Sequence, residues 1–345
     1  MALADRTLDL VNIASESRFE ADVYAYVGAC VPLHTAFSDG ETLIFAKREG
    51  KPLVLLAGHT DTVPAQGNLP GRIEDGSVVG LGASDMKGGL AVMIELARWA
   101  AETALSYDVA FLFFPREELG PAENPLPGVF DRTGIVDEAA LVICLEPTDN
   151  TLQLGCLGNL NAQVVFEGRS AHSARPWLGE NAIRLALEGL QPVLDAEPRD
   201  VDIQGLLFRE VISVTQLHAG IASNVIPARA EATLNFRYAP DRTPASAEER
   251  VRELAGRDVR ILANSPPAHV ALGSPFVERL REAGRFEVRP KQAWTNVADF
   301  AARGLDAVNL GPGATRFAHA VDERVEIAEL GRTFEALKRF LTGSV

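Results

Sequence analysis

Three unbroken apolar runs constrain the fold of this 345-residue chain more than any other feature of its sequence. They occupy residues 53–57, 109–114 and 139–145. A strand with one solvated face alternates apolar with polar residues, so continuous runs of this length indicate strands buried on both faces, as in a parallel sheet. Between the first two runs, apolar residues recur at helical spacing in residues 84–100, which predicts a helix. The succession of strand, helix and strand predicts an α/β fold.

The middle of the chain has a different pattern, in which apolar and polar residues partly alternate, as they do in half-buried strands. The predicted order of elements is β-α-β-β-α-β, which is the ferredoxin-like arrangement. The predicted elements are strands at 160–167, 211–217, 232–238 and 258–262 and helices at 181–196 and 245–255.

The end of the chain returns to the first pattern, with a predicted strand at 305–310 and a closing helix at 327–341. We therefore expect two domains in an interrupted order. The larger is an α/β domain, residues 1–159 and 271–345, with a mixed sheet and helices on both faces. The smaller is an α+β domain, residues 160–270, inserted into the larger one.

The composition argues against several classes of function. A formal net charge of -14 and a sequence pI of about 5.0 make the chain a poor partner for nucleic acid or an anionic membrane. Three cysteines without a CxxC pair argue against a disulfide framework or a cysteine-ligated zinc. The sequence shows neither the pattern of a signal peptide nor an apolar run of the roughly 20 residues that span a membrane, so we expect a cytoplasmic protein.

Each strand-like run is followed by histidine or carboxylate residues. Because ligands bind beyond the carboxyl ends of the strands in open α/β sheets, we expect these side chains to meet at one edge. Five acids in one place would repel each other unless cations lay among them, and His and carboxylate ligands without thiolates suit zinc, cobalt or manganese. Taken singly, each residue could equally be a helix cap or a solvated loop residue. The set is His59, Asp61, Asp85, Glu117, Glu118, Glu146 and His319.

Several short motifs, in this order along nearly the whole chain, resemble those of a known family. They are HTDTVP, GASDMKGG, an EE pair after a strand, LEPT, GRSAHSARP, NVIP and a late AH. This pattern resembles the zinc-dependent amidohydrolases and peptidases, a family that includes carboxypeptidases, aminoacylases, acetylornithine deacetylase and succinyl-diaminopimelate desuccinylase. Segments such as AHSARPWLGENAI and AHAVDERV look most like the desuccinylases of actinobacterial type.

The resemblance implies a site with two zinc ions, for which cobalt or manganese could substitute. His59 and Glu146 would hold one ion, Glu118 and His319 would hold the other, and Asp85 would bridge both. Each ion would then have three protein ligands and room for a water molecule, as catalytic sites require. By the same resemblance, the larger domain is the catalytic domain and the inserted domain forms the interface of a homodimer.

The remaining roles also follow from the resemblance. Asp61 would orient the His59 imidazole, and Glu117 would be the general base. In the inserted domain, His172 would reach the partner's active site and stabilise the oxyanion, and Asn224 would help to bind substrate. Arg237 would bind a substrate carboxylate. Thr295, in TNVADF, is a further candidate for substrate binding.

The chain departs from the desuccinylases at several places, of which two concern an arginine and a third is the segment REELG. Asp299 stands in TNVADF where those enzymes usually have an arginine, and Cys156 and Leu157 stand where some relatives carry another. Neither arginine position belongs to the implied metal ligands, and the resemblance still predicts hydrolysis of an N-acyl amino acid. The most specific prediction is conversion of N-succinyl-LL-2,6-diaminopimelate to succinate and LL-2,6-diaminopimelate in lysine biosynthesis. Acetylornithine deacetylase, aminoacylase and dipeptidase activities stay open as alternatives, as does an inactive metal-holding binding protein.

Overall fold

The structure is a computed structural model that describes residues 2–344. The chain divides into two compact units. The first runs to Gly155 and also contains Ala271–Arg289 and the segment from Asp299 onward. The second consists of Cys156–Val270 together with Pro290–Ala298.

The helices of residues 2–344 are numbered in chain order. They are α1 (Leu3–Val11), α2 (Ala21–Cys30), α3 (Gly88–Glu102), α4 (Leu126–Phe130), α5 (Ala182–Leu194), α6 (Pro244–Ala255), α7 (Pro275–Gly284), α8 (Val297–Ala301) and α9 (Ile327–Thr342). None of these helices combines the length and the apolar composition that crossing a membrane would require.

The strands of the same residues are numbered in the same way. They are β1 (His34–Ser38), β2 (Leu43–Lys47), β3 (Leu53–His59), β4 (Arg72–Glu74), β5 (Ser77–Val79), β6 (Asp108–Phe114), β7 (Ala139–Cys144), β8 (Leu152–Leu154), β9 (Gly158–Glu167), β10 (Ala171–His172), β11 (Arg199–Ile203), β12 (Leu206–Ala219), β13 (Val225–Ile226), β14 (Arg229–Tyr238), β15 (Arg260–Ser265), β16 (Val288–Pro290), β17 (Ala307–Asn309) and β18 (Arg324–Glu326).

The main sheet is mixed and has the strand order β1-β2-β6-β3-β7-β17-β8-β16. Its four central strands, β6, β3, β7 and β17, run parallel to one another, and the pairs β1–β2, β2–β6 and β17–β8 are antiparallel. Every residue of β3 and β6 is buried, so both faces of the sheet are covered. The expectation of an α/β fold with a mixed sheet is confirmed, and the apolar runs form its centre.

The predicted helix at 84–100 is wrong in its first turn. Residues Ala83–Lys87 form a separate turn in which Asp85 has an extended conformation, with φ -122° and ψ 95°. The regular helix α3 begins only at Gly88. A tertiary contact explains the difference, because the backbone N–H groups of Ser84 and Asp85 donate hydrogen bonds to a carboxylate that is distant in the sequence.

The second unit contains an antiparallel sheet in the order β11-β12-β14-β9-β15. The four strands from β12 to β15 in that order have the ferredoxin-like topology predicted from the sequence. Apolar residues of β9 and β14 alternate inward and pack against α5 and α6 to form a separate core. The additional edge strand β11 pairs with the first five residues of β12.

Candidate metal centre

The ends of three adjacent central strands place the first site residues together. His59 is the last residue of β3 and lies opposite Phe114, the last residue of β6. Glu117 and Glu118 lie three and four residues beyond the end of β6, and Glu146 lies two residues beyond the end of β7. Because these strands are parallel neighbours, the side chains beyond their carboxyl ends converge, as the sequence predicts.

Two triads of side chains could each hold one ion. In each triad, one ligand atom per residue lies within 4.8 Å of the other two. The first triad is His59, Asp85 and Glu146, and the second is Asp85, Glu118 and His319. These are the two sets that the sequence motifs implied, and they share Asp85. A third group within the same distance joins His59 to Glu117 and Glu118.

Asp85 lies between the two histidines. Its Oδ1 is 3.0 Å from Nε2 of His59, and its Oδ2 is 3.8 Å from Nε2 of His319. The same nitrogen of His319 is 3.0 Å from Glu118. Each oxygen of the Asp85 carboxylate thus faces a different histidine, which is the arrangement that a bridging ligand needs.

Asp61 is fully buried and holds several groups of the site in place. Its Oδ1 accepts the backbone N–H of Glu117 at 3.0 Å, and its Oδ2 accepts the N–H of Glu118 at 3.1 Å. The hydroxyl of Ser17 donates to Oδ2 at 2.7 Å. Nδ1 of His59 lies 3.1 Å from the Asp61 carbonyl and 3.4 Å from its carboxylate. Asp61 therefore orients the imidazole and also the backbone of the paired glutamates.

The electrostatics of the cluster favour a cation. Burial raises the pKa of Glu117 well above its usual range, and the carboxylates of Glu146 and Glu118 raise it further. Contact with Glu118 raises the pKa of His319 to about 9. Burial alone would lower the pKa of His59, but hydrogen bonds with carboxylates raise it well above 6.5. These shifts show an excess of negative charge in a confined space, which a divalent cation would offset.

The donor set fits zinc. Both triads offer one histidine nitrogen and carboxylate oxygens, with no thiolate, and three protein ligands leave a coordination position for water. Nε2 of His59 faces Asp85 while its Nδ1 is held by Asp61, which fixes the orientation that a metal-binding histidine requires. Cobalt and manganese are compatible with the same ligands.

The other predicted residues belong to the second unit. His172 ends β10 and is exposed, and its Nδ1 accepts the backbone N–H of Ala174 at 3.1 Å. Asn224 is exposed in the turn before β13. Arg237 is half-buried on β14 and lines a cavity of about 440 Å³ within this unit. Thr295 is buried, and its carbonyl faces the Cys156 thiol at 3.9 Å.

Two residues with a part in the site were missed by the sequence analysis. Ser17 donates to Asp61, and Glu323 accepts backbone N–H groups of the loop that carries Asp85. Neither has a local signal, because a hydroxyl or a carboxylate that binds a distant residue resembles any polar surface residue. The quoted motif AHAVDERV contained Glu323, but nothing in its spacing pointed to this contact.

Comparison with known proteins identifies the family. The sequence profile of peptidase family M20/M25/M40 matches residues 55–343. A succinyl-diaminopimelate desuccinylase of Corynebacterium glutamicum is 38% identical over 84% of this chain and 80% of its own length. A Mycobacterium tuberculosis protein, provisionally named succinyl-diaminopimelate desuccinylase, is 38% identical over 98% of this chain and 97% of its own length.

Comparison with solved structures agrees at the level of the fold. The crystal structure of aminopeptidase PepT from Bacillus cereus has a TM-score of 0.80, covering 99% of this chain and 98% of that one, at 21% identity. The resemblance inferred from the motifs is thereby confirmed. The chain belongs to peptidase family M20/M25/M40 and is a metal-dependent amidohydrolase.

Proposed function

We propose that this protein is a di-zinc hydrolase that converts N-succinyl-LL-2,6-diaminopimelate and water to succinate and LL-2,6-diaminopimelate, a step of lysine biosynthesis in the cytoplasm. The observation that carries the proposal is the pair of triads sharing Asp85, with Glu117 beside them. We take the proposed substrate from the name of the Corynebacterium glutamicum relative, which is a succinyl-diaminopimelate desuccinylase.

Two zinc ions held by the two triads would supply Lewis-acid polarisation of the scissile carbonyl and would lower the pKa of the attacking water. Glu117 accepts a proton from that water as its oxygen bonds to the carbonyl carbon. As the C–N bond breaks, Glu117 returns the proton to the amide nitrogen, so the products are the free amine and the carboxylic acid, which then loses its own proton to solvent. Asp61 holds the backbone of Glu117 throughout, which keeps the general base in place.

Arg237 is the proposed contact for a carboxylate of the substrate. Its guanidinium is half-buried, and its Nε donates to Oδ1 of Asn235 at 3.0 Å, an amide rather than a carboxylate. In the same cavity, Arg209 is already paired with Asp200. Because Asn235 is neutral, it does not offset the charge of Arg237, which can attract a substrate anion. A bidentate pair with a carboxylate would also fix the orientation of that anion.

We also propose that the protein is a homodimer joined through the second unit, and that His172 of each chain serves the partner's active site. Helix α5 supports this, because Ile183, Leu187 and Leu194 are exposed on it while its other apolar face is buried. Strand β12 supports it too, because β11 pairs with only its first five residues, leaving the edge of residues 211–219 open to a further strand.

A different acyl group is the second candidate, within the same mechanism. Asp299, which replaces an arginine of the desuccinylases, accepts a hydrogen bond from Nδ2 of Asn124 at 2.9 Å. The carboxylate is thus fixed in place, and it would repel a substrate carboxylate that approached it. Acetylornithine, other N-acyl amino acids and dipeptides lack the succinyl carboxylate, so this residue favours them.

The experiment that tests the function measures hydrolysis of N-succinyl-LL-diaminopimelate, acetylornithine, several N-acyl amino acids and dipeptides. The protein is stripped of metal and then reconstituted with zinc, cobalt or manganese. Preference for the succinylated substrate with zinc supports the proposal, whereas preference for another amide assigns the chain to another activity of the family. Absence of metal-dependent turnover on every substrate would favour an inactive metal-holding protein.

A further inference from the structure

The loop that carries Asp85 is held by a buried carboxylate outside the two triads. Glu323 is only 1% exposed. Its Oε1 accepts the backbone N–H of Ser84 at 3.1 Å and that of Asp85 at 2.9 Å. Its Oε2 accepts the N–H of Gly82 at 2.8 Å. Three peptide donors of one short loop therefore converge on a single side chain.

The main chain of Glu323 binds the same region. Its carbonyl accepts the N–H of Gly80 at 2.9 Å, and the following strand β18 pairs with β5 just before the loop. Glu323 also lies four residues after His319, the other histidine that faces Asp85. The residue thus ties together the two segments that carry Asp85 and His319.

The contact calls for a carboxylate in particular. An ionised carboxylate offers two acceptor oxygens and no donor, whereas a glutamine amide would direct an NH₂ group at one of the backbone N–H groups. A buried N–H that loses its acceptor destabilises the folded state, so the mismatch is not neutral. Burial raises the pKa of Glu323 to about 7, and the three backbone donors oppose that rise because they stabilise the ionised carboxylate.

The loop cannot easily adopt this shape without such a contact. Gly82 has φ +74°, which favours glycine, and a Cβ there would meet the Thr62 side chain at 2.7 Å. Asp85 departs from helical geometry although helix α3 begins three residues later. The N–H groups at the start of a helix have no acceptor within it, and Glu323 supplies the acceptors for those of Gly82, Ser84 and Asp85.

We propose that Glu323 is a positioning residue of the metal centre, which fixes the backbone of residues 82–85 so that the Asp85 carboxylate faces both His59 and His319. The inference rests on the proposed function, because it takes Asp85 as the ligand shared by two ions. Glu323 itself belongs to neither triad and binds the backbone of the loop that carries Asp85. Its effect is to order the bridging ligand before metal binds, so that binding does not have to order it.

The test compares Glu323→Gln and Glu323→Asp with the wild type. Glu326→Gln is the matched control, because Glu326 is exposed, lies three residues away and undergoes the same chemical change. Zinc affinity is measured on metal-free protein by competition with a chromophoric chelator. Hydrogen exchange of the peptide covering residues 82–85 is measured on the same metal-free samples, together with the melting temperature.

We expect Glu323→Gln to weaken zinc binding about 10- to 100-fold, the range for partners that orient metal ligands. Exchange at residues 82–85 should accelerate while the rest of the protein keeps its protection. Glu323→Asp keeps the charge and should fall between Glu323→Gln and the wild type, and the control should match the wild type. A purely structural role would lower the melting temperature without this local change in exchange and affinity.

Three results would overturn the inference. The first is wild-type zinc affinity in folded Glu323→Gln, and the second is unchanged exchange at residues 82–85. The third is failure of both variants to fold, which would make Glu323 a determinant of the whole fold instead. If the wild type itself binds no zinc, cobalt or manganese, the proposed function fails; if the wild type binds metal and Glu323→Gln binds it equally well, only this inference fails.

Discussion

The buried carboxylate of Asp61 accepts the backbone N–H of Glu117 at 3.0 Å. It does so while its other oxygen accepts the N–H of Glu118, the next residue. Asp61 therefore holds the backbone of both residues, although Glu117 is the proposed general base and Glu118 a proposed metal ligand. Since adjacent residues project in different directions, one carboxylate can face the metal while the other faces the reacting water.

Replacing Glu117 and Glu118 in turn should separate catalysis from metal binding. Glu117→Gln removes the proton acceptor and should lower kcat by about 10²- to 10⁴-fold, with metal content unchanged. Glu118→Gln removes the negative charge beside His319 and should lower metal content instead. Metal analysis and steady-state kinetics on both variants decide the matter. An active, fully metallated Glu117→Gln enzyme would refute the role of Glu117.

Asp61→Asn should loosen the paired glutamates. The substitution turns one of two acceptor oxygens into a donor facing a backbone N–H or the Ser17 hydroxyl, so we expect a loss of about 1–3 kcal/mol in the free energy of unfolding. The drop in kcat should be at least about tenfold, as for other groups that orient metal ligands, with a smaller change in KM.

The control for Asp61 is Ser17→Ala. It removes one donor to the same carboxylate but leaves both glutamate amides bound, so kcat should stay close to that of the wild type. Urea unfolding measures the free energy of unfolding of both variants, and steady-state kinetics measure their kcat and KM. Equal kcat values for Asp61→Asn and the wild type would show that the anchor has no part in catalysis.

The proposed dimer should depend on the exposed face of α5. Leu187 and Leu194 are 55% and 58% exposed, and burying a charged side chain in an apolar interface is costly. The double variant Leu187→Glu/Leu194→Glu should therefore sediment as a monomer and lose activity, because His172 would no longer reach a partner's site. The control is Leu262→Glu on β15, which is the edge strand at the other end of the sheet from β11 and β12. A wild type that sediments as a monomer would contradict the prediction.

Acid should weaken a salt bridge of the second unit in a defined pH range. Burial would raise the pKa of Glu210, but hydrogen bonds from Arg199 and Arg242 hold it below the usual 4.5. Because the folded pKa is the lower one, its stabilising effect is complete above pH 4.5 and is lost as the pH falls through the folded pKa.

Glu210→Gln should accordingly lower the free energy of unfolding by about 2–4 kcal/mol at pH 7. The difference from the wild type should shrink as the pH falls below 4.5. Denaturant unfolding at a series of pH values measures the difference, with the partly exposed Asp241→Asn as control. A difference that is constant down to pH 3 would show that the folded protein does not hold the pKa of Glu210 below 4.5.

The sequence predicted the centre of the fold well, because the central strands are buried on both faces and therefore consist of continuous apolar runs. The convergence of His59, Glu117 and Glu146 followed from the same strands, since parallel neighbours end at one edge. The edge strand β11 was missed, because its five residues, RDVDI, carry three charges and resemble a loop.

The conformation of Asp85 could not be predicted from its neighbours. Local spacing favours a helix from Ser84, yet the N–H of Asp85 binds a carboxylate 238 residues away. Glu323 has no pattern of its own for the same reason. Long-range hydrogen bonds between a side chain and the backbone leave no periodic trace in either partner, and these are the contacts that we propose to order Asp85.

The most direct test of the account is the metal-dependent specificity of the wild type. Metal-free protein, reconstituted with zinc, is assayed for kcat/KM on N-succinyl-LL-diaminopimelate and on acetylornithine side by side. We predict activity only with metal and a clear preference for the succinylated substrate. A clear preference for acetylornithine, or equal turnover with and without metal, would contradict the proposed function.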